Sequence, residues 1–477
     1  MSKFSATICI VSVTVFLGMA GHAAAFTHGN IYVTRVGTGV AALSALATAV
    51  FLDEFTPAGN LVNSLALPTA PSGGNQAFTM SGTATSEGAL RRSVDGRYLT
   101  LSGYAAVPGT ASISSTASIT VNRVIARIDA VGTVDTSTLF SGAFSATSIR
   151  GAVTVDGSGF WATGGNSGVQ YIPFGTATST QINTNPLNLR VPGVFGGQLY
   201  VTSASTGFNG VSAVGLGLPT VSGQTTTLLP GFPTAIASPY GFVAFDLNPN
   251  VAGIDTFYVA DDRPPAANTI NVQKWTFGGT VWTQSAKSWT YGSTAGVRGL
   301  SGYVNGSNQV VLYAVTTENP SRLVTLTDDG IAVSGTATVL ATSGTNTAFR
   351  GVEVIPPPPA VILTTATTGT GSGSITGVNN PYSVGSTASI TALPSAGSYF
   401  AAWSDCSTSS AATIDVTMDS NKSCTATFML KLDQTISFGT APTVYVGKTG
   451  TVSATGTSGL SPVFSPTPPA FCTPRGS

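Results

Sequence analysis

The sequence predicts an all-β protein, and three observations carry the prediction. Only 8% of its 477 residues are charged, so few long charged side chains are available to coat helix surfaces. The chain is rich in Gly, Ser, Thr, Ala and Val, which suit strands and tight turns. A short phrase built on arginine recurs along it: "GALRRSVDG", "TSIRGAVTVDG", "LNLRVPGVFGG", "AGVRGLSGYVNG" and "NTAFRGVEVIP". A chain of this length is also expected to hold two or three domains.

The first 25 residues place Lys3 ahead of an apolar run from Ile8 to Ala20 and end in the small residues Ala23 and Ala25. This pattern predicts a secretory signal cleaved after Ala25, its apolar run being too short to span a bilayer. Without it the chain carries 18 basic residues (19 less Lys3), 19 acidic ones, the single histidine His28, and three cysteines. Such a balance gives no broad cationic surface, so nucleic acid is not an expected partner. Neither is a membrane span expected after signal removal.

After most arginine phrases the sequence turns at Gly and continues as a second strand of alternating apolar and aromatic residues, a hairpin signal. Examples are "RYLTLSGY", "SGFWATGG", "QLYVTSA" and "VVLYAVTT". Third and fourth strands follow, as in "VNRVIARIDAVG" with "TVDTSTLF" and "SRLVTLTDDG" with "ATVLATSG". Four antiparallel strands recurring every ~40–60 residues predict propeller blades. In the unit at 238–290, Tyr240 stands in place of the arginine.

The chain enters at "GNIYVTRVG", which reads as a second strand with no first strand before it. "FRGVEVIP" at the far end supplies the missing one, so both ends share a blade and close the ring. Units begin near Arg91, Arg150, Arg190, Tyr240, Arg298 and Arg350. Six blades follow over residues 26–355, or seven if the stretch from Arg91 to Phe140 holds two units. A β-solenoid or sandwich array is disfavoured because neither needs a terminal strand to complete its first repeat. The propeller resembles secreted bacterial proteins sharing these blade phrases, a likeness that implies fold and export.

Residues 356–360 form a proline linker, stiff and extended. In residues 361–430 the Gly-rich opening "TGTGSGSITG", the F-x-x-W-S-x-C pattern of Phe400, Trp403 and Cys406, and the closing "CTATF" resemble the divergent InlB-type B-repeat. The resemblance implies a spacer and interaction module without chemistry, with a Gly-rich first hairpin and Trp403 in the core. Cys406 and Cys424, near in sequence in an exported chain, are expected to form a disulfide. Residues 431–477 resemble the opening strands of a bacterial Ig-like repeat, too short for a full sandwich. Cys472 then has no partner, and the chain is expected to be a piece of a longer protein.

Antiparallel reversal puts first-strand starts and second-strand ends on one rim. Arg91, Arg150, Arg190, Arg298 and Arg350, five of thirteen arginines, are therefore expected to ring one channel mouth with Tyr240. Tyr104, Asp261, Asp262 and Glu318, at second-strand ends, are expected to decorate the same face. Guanidinium forks suit carboxylate and sulfate, so a socket for an acidic polysaccharide is one expectation. The other is that each arginine binds carbonyls or acids of a neighbouring blade. Asp261 with Asp262 offers a calcium-type oxygen pair; otherwise no cofactor and no metal cluster is expected.

Asp53 and Glu54 are adjacent in a strand and so point to opposite faces. His28 lies close to the new N-terminus, no G-x-S-x-G elbow is present, and no catalytic residue is identified. Trp161, Trp275, Trp282 and Trp289 are expected to fill blades more than to stack on sugars. The expected function is a secreted binding or adhesion protein recognising an extracellular polysaccharide or surface partner. The alternative is a polysaccharide lyase or hydrolase using Tyr240 or Tyr104 as acid/base.

Overall fold

The structure, a computed structural model, describes residues 26–234, 237–265, 268–357 and 360–465. The signal segment and Cys472 lie outside the described residues. The chain divides into two compact units at Pro357/Pro358.

The first unit is a six-bladed propeller. Blade 1 joins Ala348–Val354 to Ile31–Val36, Ala47–Phe55 and Leu61–Ala66. Blade 2 comprises Arg91–Arg92, Tyr98–Tyr104, Arg123–Asp129 and Val134–Phe140. Blade 3 comprises Ile149–Val153, Gly159–Gly164, Gln170–Pro173 and Thr180–Gln181. Blade 4 comprises Pro192–Phe195, Gln198–Thr202, Val211–Val214 and Thr226–Leu228. Blade 5 comprises Pro239–Phe245, Thr256–Asp261, Val272–Phe277 and Trp282–Gln284. Blade 6 comprises Val297–Val304, Val310–Thr316, Arg322–Asp328 and Thr338–Thr342. The first strands of successive blades touch all the way round.

The stretch from Arg91 to Phe140 is one sheet, so no seventh blade is hidden there. Its extra length is an excursion between the second and third strands that contains the 3-10 turn Ile113–Ser115. Among the described residues there is no α-helix. The closing strand pairs antiparallel with the entry strand, Ile31 opposite Val354 and Val36 opposite Ala348. That pairing consumes the two sheet edges that the chain ends would otherwise leave open.

Hairpin turns between first and second strands rely on residues that tolerate positive φ, as at Gly96 (φ 79°) and Gly157 (φ 83°). Alternation then sends apolar side chains into the spaces between blades. Trp161, Trp275, Trp282 and Trp289 are all at most 7% exposed and fill blades instead of offering a stacking platform. Phe232 lies flat on Trp275, centroids 4.2 Å apart.

Blades 5 and 6 carry an element the repeat did not announce. Thr269–Ile270, Ser288–Thr290 and Ser334–Thr336 form a small separate sheet, the last two strands parallel. Beside it the buried Asp328 receives Lys274 Nζ (2.8 Å), Lys287 Nζ (3.2 Å) and Tyr258 Oη (2.6 Å). Burial alone would raise the Asp328 carboxyl, but Lys274, Tyr258 and the Gly330 N–H outweigh it and hold it down to about 2.

In the second unit Leu363–Thr368 pairs parallel with Lys422–Leu430, which pairs in turn with Ser398–Ser404. Gly373–Thr376, Ser386–Pro394 and Thr413–Met418 form the facing sheet. The expected Gly-rich first hairpin is thus corrected: the glycines carry the chain from one sheet to the other, because Gly369 and Gly371 lie against the backbone of Phe428 and Met429. Trp403 is 2% exposed within the core, its Nε1 donating to Ala411 O at 3.0 Å. Cys406 and Cys424 are joined across 18 residues. Further along, Ile436–Phe438 pairs with Ala454–Gly456.

Reduction or Cys406→Ala with Cys424→Ala should cost the second unit about 3 kcal/mol, the entropy of closing so short a loop. Urea unfolding with and without reductant measures it; equal midpoints would contradict a stapling role.

Candidate functional site at the channel mouth

In blades 1, 3, 5 and 6 an arginine or tyrosine at the channel, Arg350, Arg150, Tyr240 or Arg298, is followed by a glycine that lets the neighbouring blade approach; in blade 4 Arg190 is followed by Val191. A Cβ on Gly241 would lie 2.7 Å from Arg298 O and 2.8 Å from Leu300 N. One on Gly299 would lie 2.9 Å from Arg350 O, and one on Gly351 would strike Gly88 O and Leu90 N. The Arg-Gly phrase is therefore a packing device: the glycine admits the backbone next door and the arginine overhangs it.

This geometry corrects the place of Arg91. Gly351 faces the backbone around Ala89, and Ala89 N donates to Arg150 O at 3.2 Å. Ala89 thus occupies in blade 2 the position of the repeated glycine, and Gly88 stands where arginine was expected. Arg91 lies further along the strand, inside the channel. Its Nε donates to Pro192 O (2.9 Å) and its Nη1 to Phe242 O (3.1 Å), so it reaches across to blades 4 and 5. Burial lowers its pKa.

The other four arginines do gather at the mouth. Arg150 Nη1 donates to Asn188 Oδ1 (2.5 Å) and Leu189 O (2.8 Å). Arg190 Nη1 donates to Ser238 Oγ (2.7 Å) and Pro239 O (3.2 Å). Arg350 Nη2 donates to Gly82 O at 2.8 Å. Arg150 and Arg190 thus bond to the chain entering the following blade, and Arg350 to the connection between blades 1 and 2. Arg298 instead pairs with Asp262 at 2.9 Å, and Arg190 meets the same carboxylate at 4.0 Å. Tyr240 lies under both cations, 4.1 Å from Arg190 Cζ and 5.1 Å from Arg298 Cζ, a cation–π arrangement that fixes the two guanidinium groups side by side.

The internal partners do not use every nitrogen. Arg150 Nε and Arg350 Nε are buried without a hydrogen-bond partner. Burial lowers the pKa of Arg150, and the charge of Arg190 adds to the effect. Burial pushes Arg350 down to about 10, Arg298 adding to it against the opposing pull of Glu87.

The second-strand ends divide. Asp262 joins the arginines, and Glu318 lines the same cleft as Arg298 and Arg350. The Glu318 carboxylate is held by Tyr291 Oη (2.7 Å) and Ser293 Oγ (2.5 Å). Asp261 is 1% exposed and is consumed by Arg263, Ser238 N and Gln273. It therefore turns away from Asp262, and the two offer no common oxygen pair for calcium. Tyr104 does not face the mouth either. It is fully buried, its hydroxyl donating to Glu87 Oε1 at 2.6 Å, and burial raises its pKa well above the ordinary tyrosine value.

Glu87 escaped the sequence reading. A lone acid among small residues just before a first strand was its only signal. It is 3% exposed, it accepts from Ser81 N at 2.9 Å, and burial raises its pKa. Asp53 and Glu54 part as expected, to Arg35 (2.6 Å) and Asn30 (2.7 Å). His28 Nδ1 meets Pro356 O at 2.9 Å, exposed and away from the arginines.

Residues 363–431 match the family described as the divergent InlB B-repeat domain. No curated protein matches the chain. Among solved structures the chain is similar to a putative 6-phosphogluconolactonase from Bacteroides uniformis (14% identity, TM-score 0.36, 66% of this chain and 83% of that one). It is likewise similar to a chain of a nidogen/laminin complex (10%, TM-score 0.38, 68% and 99%). A putative glucose dehydrogenase from Thermus thermophilus is a third (13%, TM-score 0.33, 59% and 93%).

Two substitutions check the geometry. Gly351→Ala should destabilise the propeller by roughly 1–3 kcal/mol through overpacking, whereas Gly306→Ala, with open space around it, should change it by less than about 0.5 kcal/mol; urea unfolding compares them. Glu87 has its folded pKa raised above the ordinary 4.5, so its contribution is fully present below that value and is lost as pH rises. Glu87→Gln should therefore gain stability relative to the parent between pH 4 and pH 8, and parallel pH profiles would refute this.

Proposed function

We propose that the protein is a secreted binding or adhesion protein whose propeller mouth takes an acidic group of an extracellular polysaccharide or surface partner. The propeller and the B-repeat suggest a surface or binding protein, and the B-repeat with its disulfide fits an extracellular one. The observation that carries the ligand class is the charge balance at the mouth. Arg150, Arg190, Arg298 and Arg350 stand there with Glu318 in the same cleft, Glu87 buried close by, and Asp262, the one carboxylate in ion-pair contact with any of the four among the described residues.

Like charges held together in a partly dry site stand at a cost that an anionic ligand relieves. Arg190 and Arg298 keep 16% and 25% of their side-chain surface open, so they are the contact pair. Arg350 lies beneath them as fixed charge. Guanidinium groups aligned on Tyr240 present donors suited to a carboxylate or sulfate. The lyase or hydrolase alternative loses Tyr104 as its acid/base, because that hydroxyl is enclosed and already donates to Glu87.

Size-exclusion chromatography of polygalacturonate and of neutral dextran after incubation with the full chain tests the reading. Co-elution with polygalacturonate alone is expected, weakened at least tenfold by Arg150→Ala with Arg298→Ala, since a lost charge-assisted contact costs about 1.5–3 kcal/mol. A shift of the polymer to shorter chains would replace binding with cleavage. Co-elution indifferent to the substitutions would leave the arginines as packing elements.

A further inference from the structure

The channel has a second end, where the first strands finish, and every blade contributes to a cavity of about 330 Å³ there. Its walls are about as polar as apolar, Val153, Phe195, Phe245 and Ile254 supplying part of the apolar side. The two phenylalanines and Ile254 are only half-buried, so a ligand would still remove apolar surface from water. One side is different: Arg91, Arg92 and Glu353 line it together.

Two features of that polar side point to a missing partner. Arg91 is 5% exposed, two of its nitrogens are held by carbonyls across the channel, and Nη2 finds no acceptor. No ion pair offsets its charge among the described residues. Arg92, next along the strand, makes no hydrogen bond or ion pair through its guanidinium among the described residues. Glu353 does not neutralise this pair by contact, because its oxygens are taken by Ser301 Oγ (2.5 Å) and the Arg92 backbone N–H (3.3 Å).

We propose that this cavity binds a small monocarboxylate with an apolar body, its carboxylate on the Arg92 guanidinium and its aryl or alkyl portion against Phe195, Phe245 and Ile254. The volume suits a small organic molecule, and apolar side chains beside a few convergent polar groups are the usual make-up of such a site. One negative charge fits: Arg91 and Arg92 face the single carboxylate of Glu353 in the same cavity, two cations against one acid, while Glu353 and the apolar walls oppose a dianion such as phosphate. This site is independent of the arginine mouth at the other end.

Calorimetric titration of the full chain with phenylacetate, octanoate, 2-phenylethanol and inorganic phosphate tests it. Saturable binding of at least one of the two acids is expected, with 2-phenylethanol and phosphate at least tenfold weaker. Arg92→Met, which keeps the aliphatic bulk of a half-buried side chain, should weaken acid binding at least tenfold, and Arg92→Lys should restore part of it. Arg190→Ala with Arg298→Ala should leave it unchanged. The proposal fails if neither acid binds, if phosphate or the alcohol binds as tightly, or if Arg92→Met binds as the parent does.

Discussion

Pairing of Ala348–Val354 with Ile31–Val36 is the contact on which the propeller depends. A ring of sheets has no lid; it is held by each blade pressing on the next, and a single open joint exposes two blade faces at once. Here the joint lies inside blade 1, so opening it breaks backbone ladder bonds as well as apolar contacts. Val352 and Val354, each 1% exposed, pack with Ile31, Val33 and Tyr313, and the closing strand thereby also seals blade 1 against blade 6.

The channel follows from the same geometry. Six first strands converge on an axis, and only residues without bulk can sit where their backbones approach. Glycine at 151, 241, 299 and 351 meets that demand. The residue before it then has nowhere to go except over the channel, and a long side chain that can reach the next blade is the one that satisfies orphan carbonyls there. Arginine serves both needs, but at the cost of crowding cations into a narrow space. Tyr240, Asp262 and the raised Glu87 moderate that crowding without cancelling it.

The two ends of the channel divide the chemistry. At the mouth the cations are spread over several blades and partly open to solvent. At the far end Arg91 and Arg92 sit together with Glu353 on one side of a cavity whose other side is apolar. The difference arises from a local irregularity: blade 2 places Gly88-Ala89 where blades 1, 3 and 6 place Arg-Gly, which carries its arginines further down the strand.

The amino-acid sequence by itself determined the four-stranded blade repeat, the shared blade and the disulfide pair, because each rests on local periodicity or on a strong composition signal; it left six or seven blades open, and the burial of Trp403 followed from the B-repeat resemblance. It also located the arginines by their phrase, "RG" recurring before a hairpin. Tertiary structure alone decided which of those phrases are equivalent. "GALRRSVDG" matches the others by eye, yet its register is set by the backbones of blades 1 and 3 against Ala89, contacts that no single strand encodes. In the same way the fates of Asp261 and Asp262, adjacent in sequence, parted because strand alternation turned one towards Arg263 and the other towards Arg298. The role of Glu87 came from burial beside Tyr104, a quantity that depends on every blade around it.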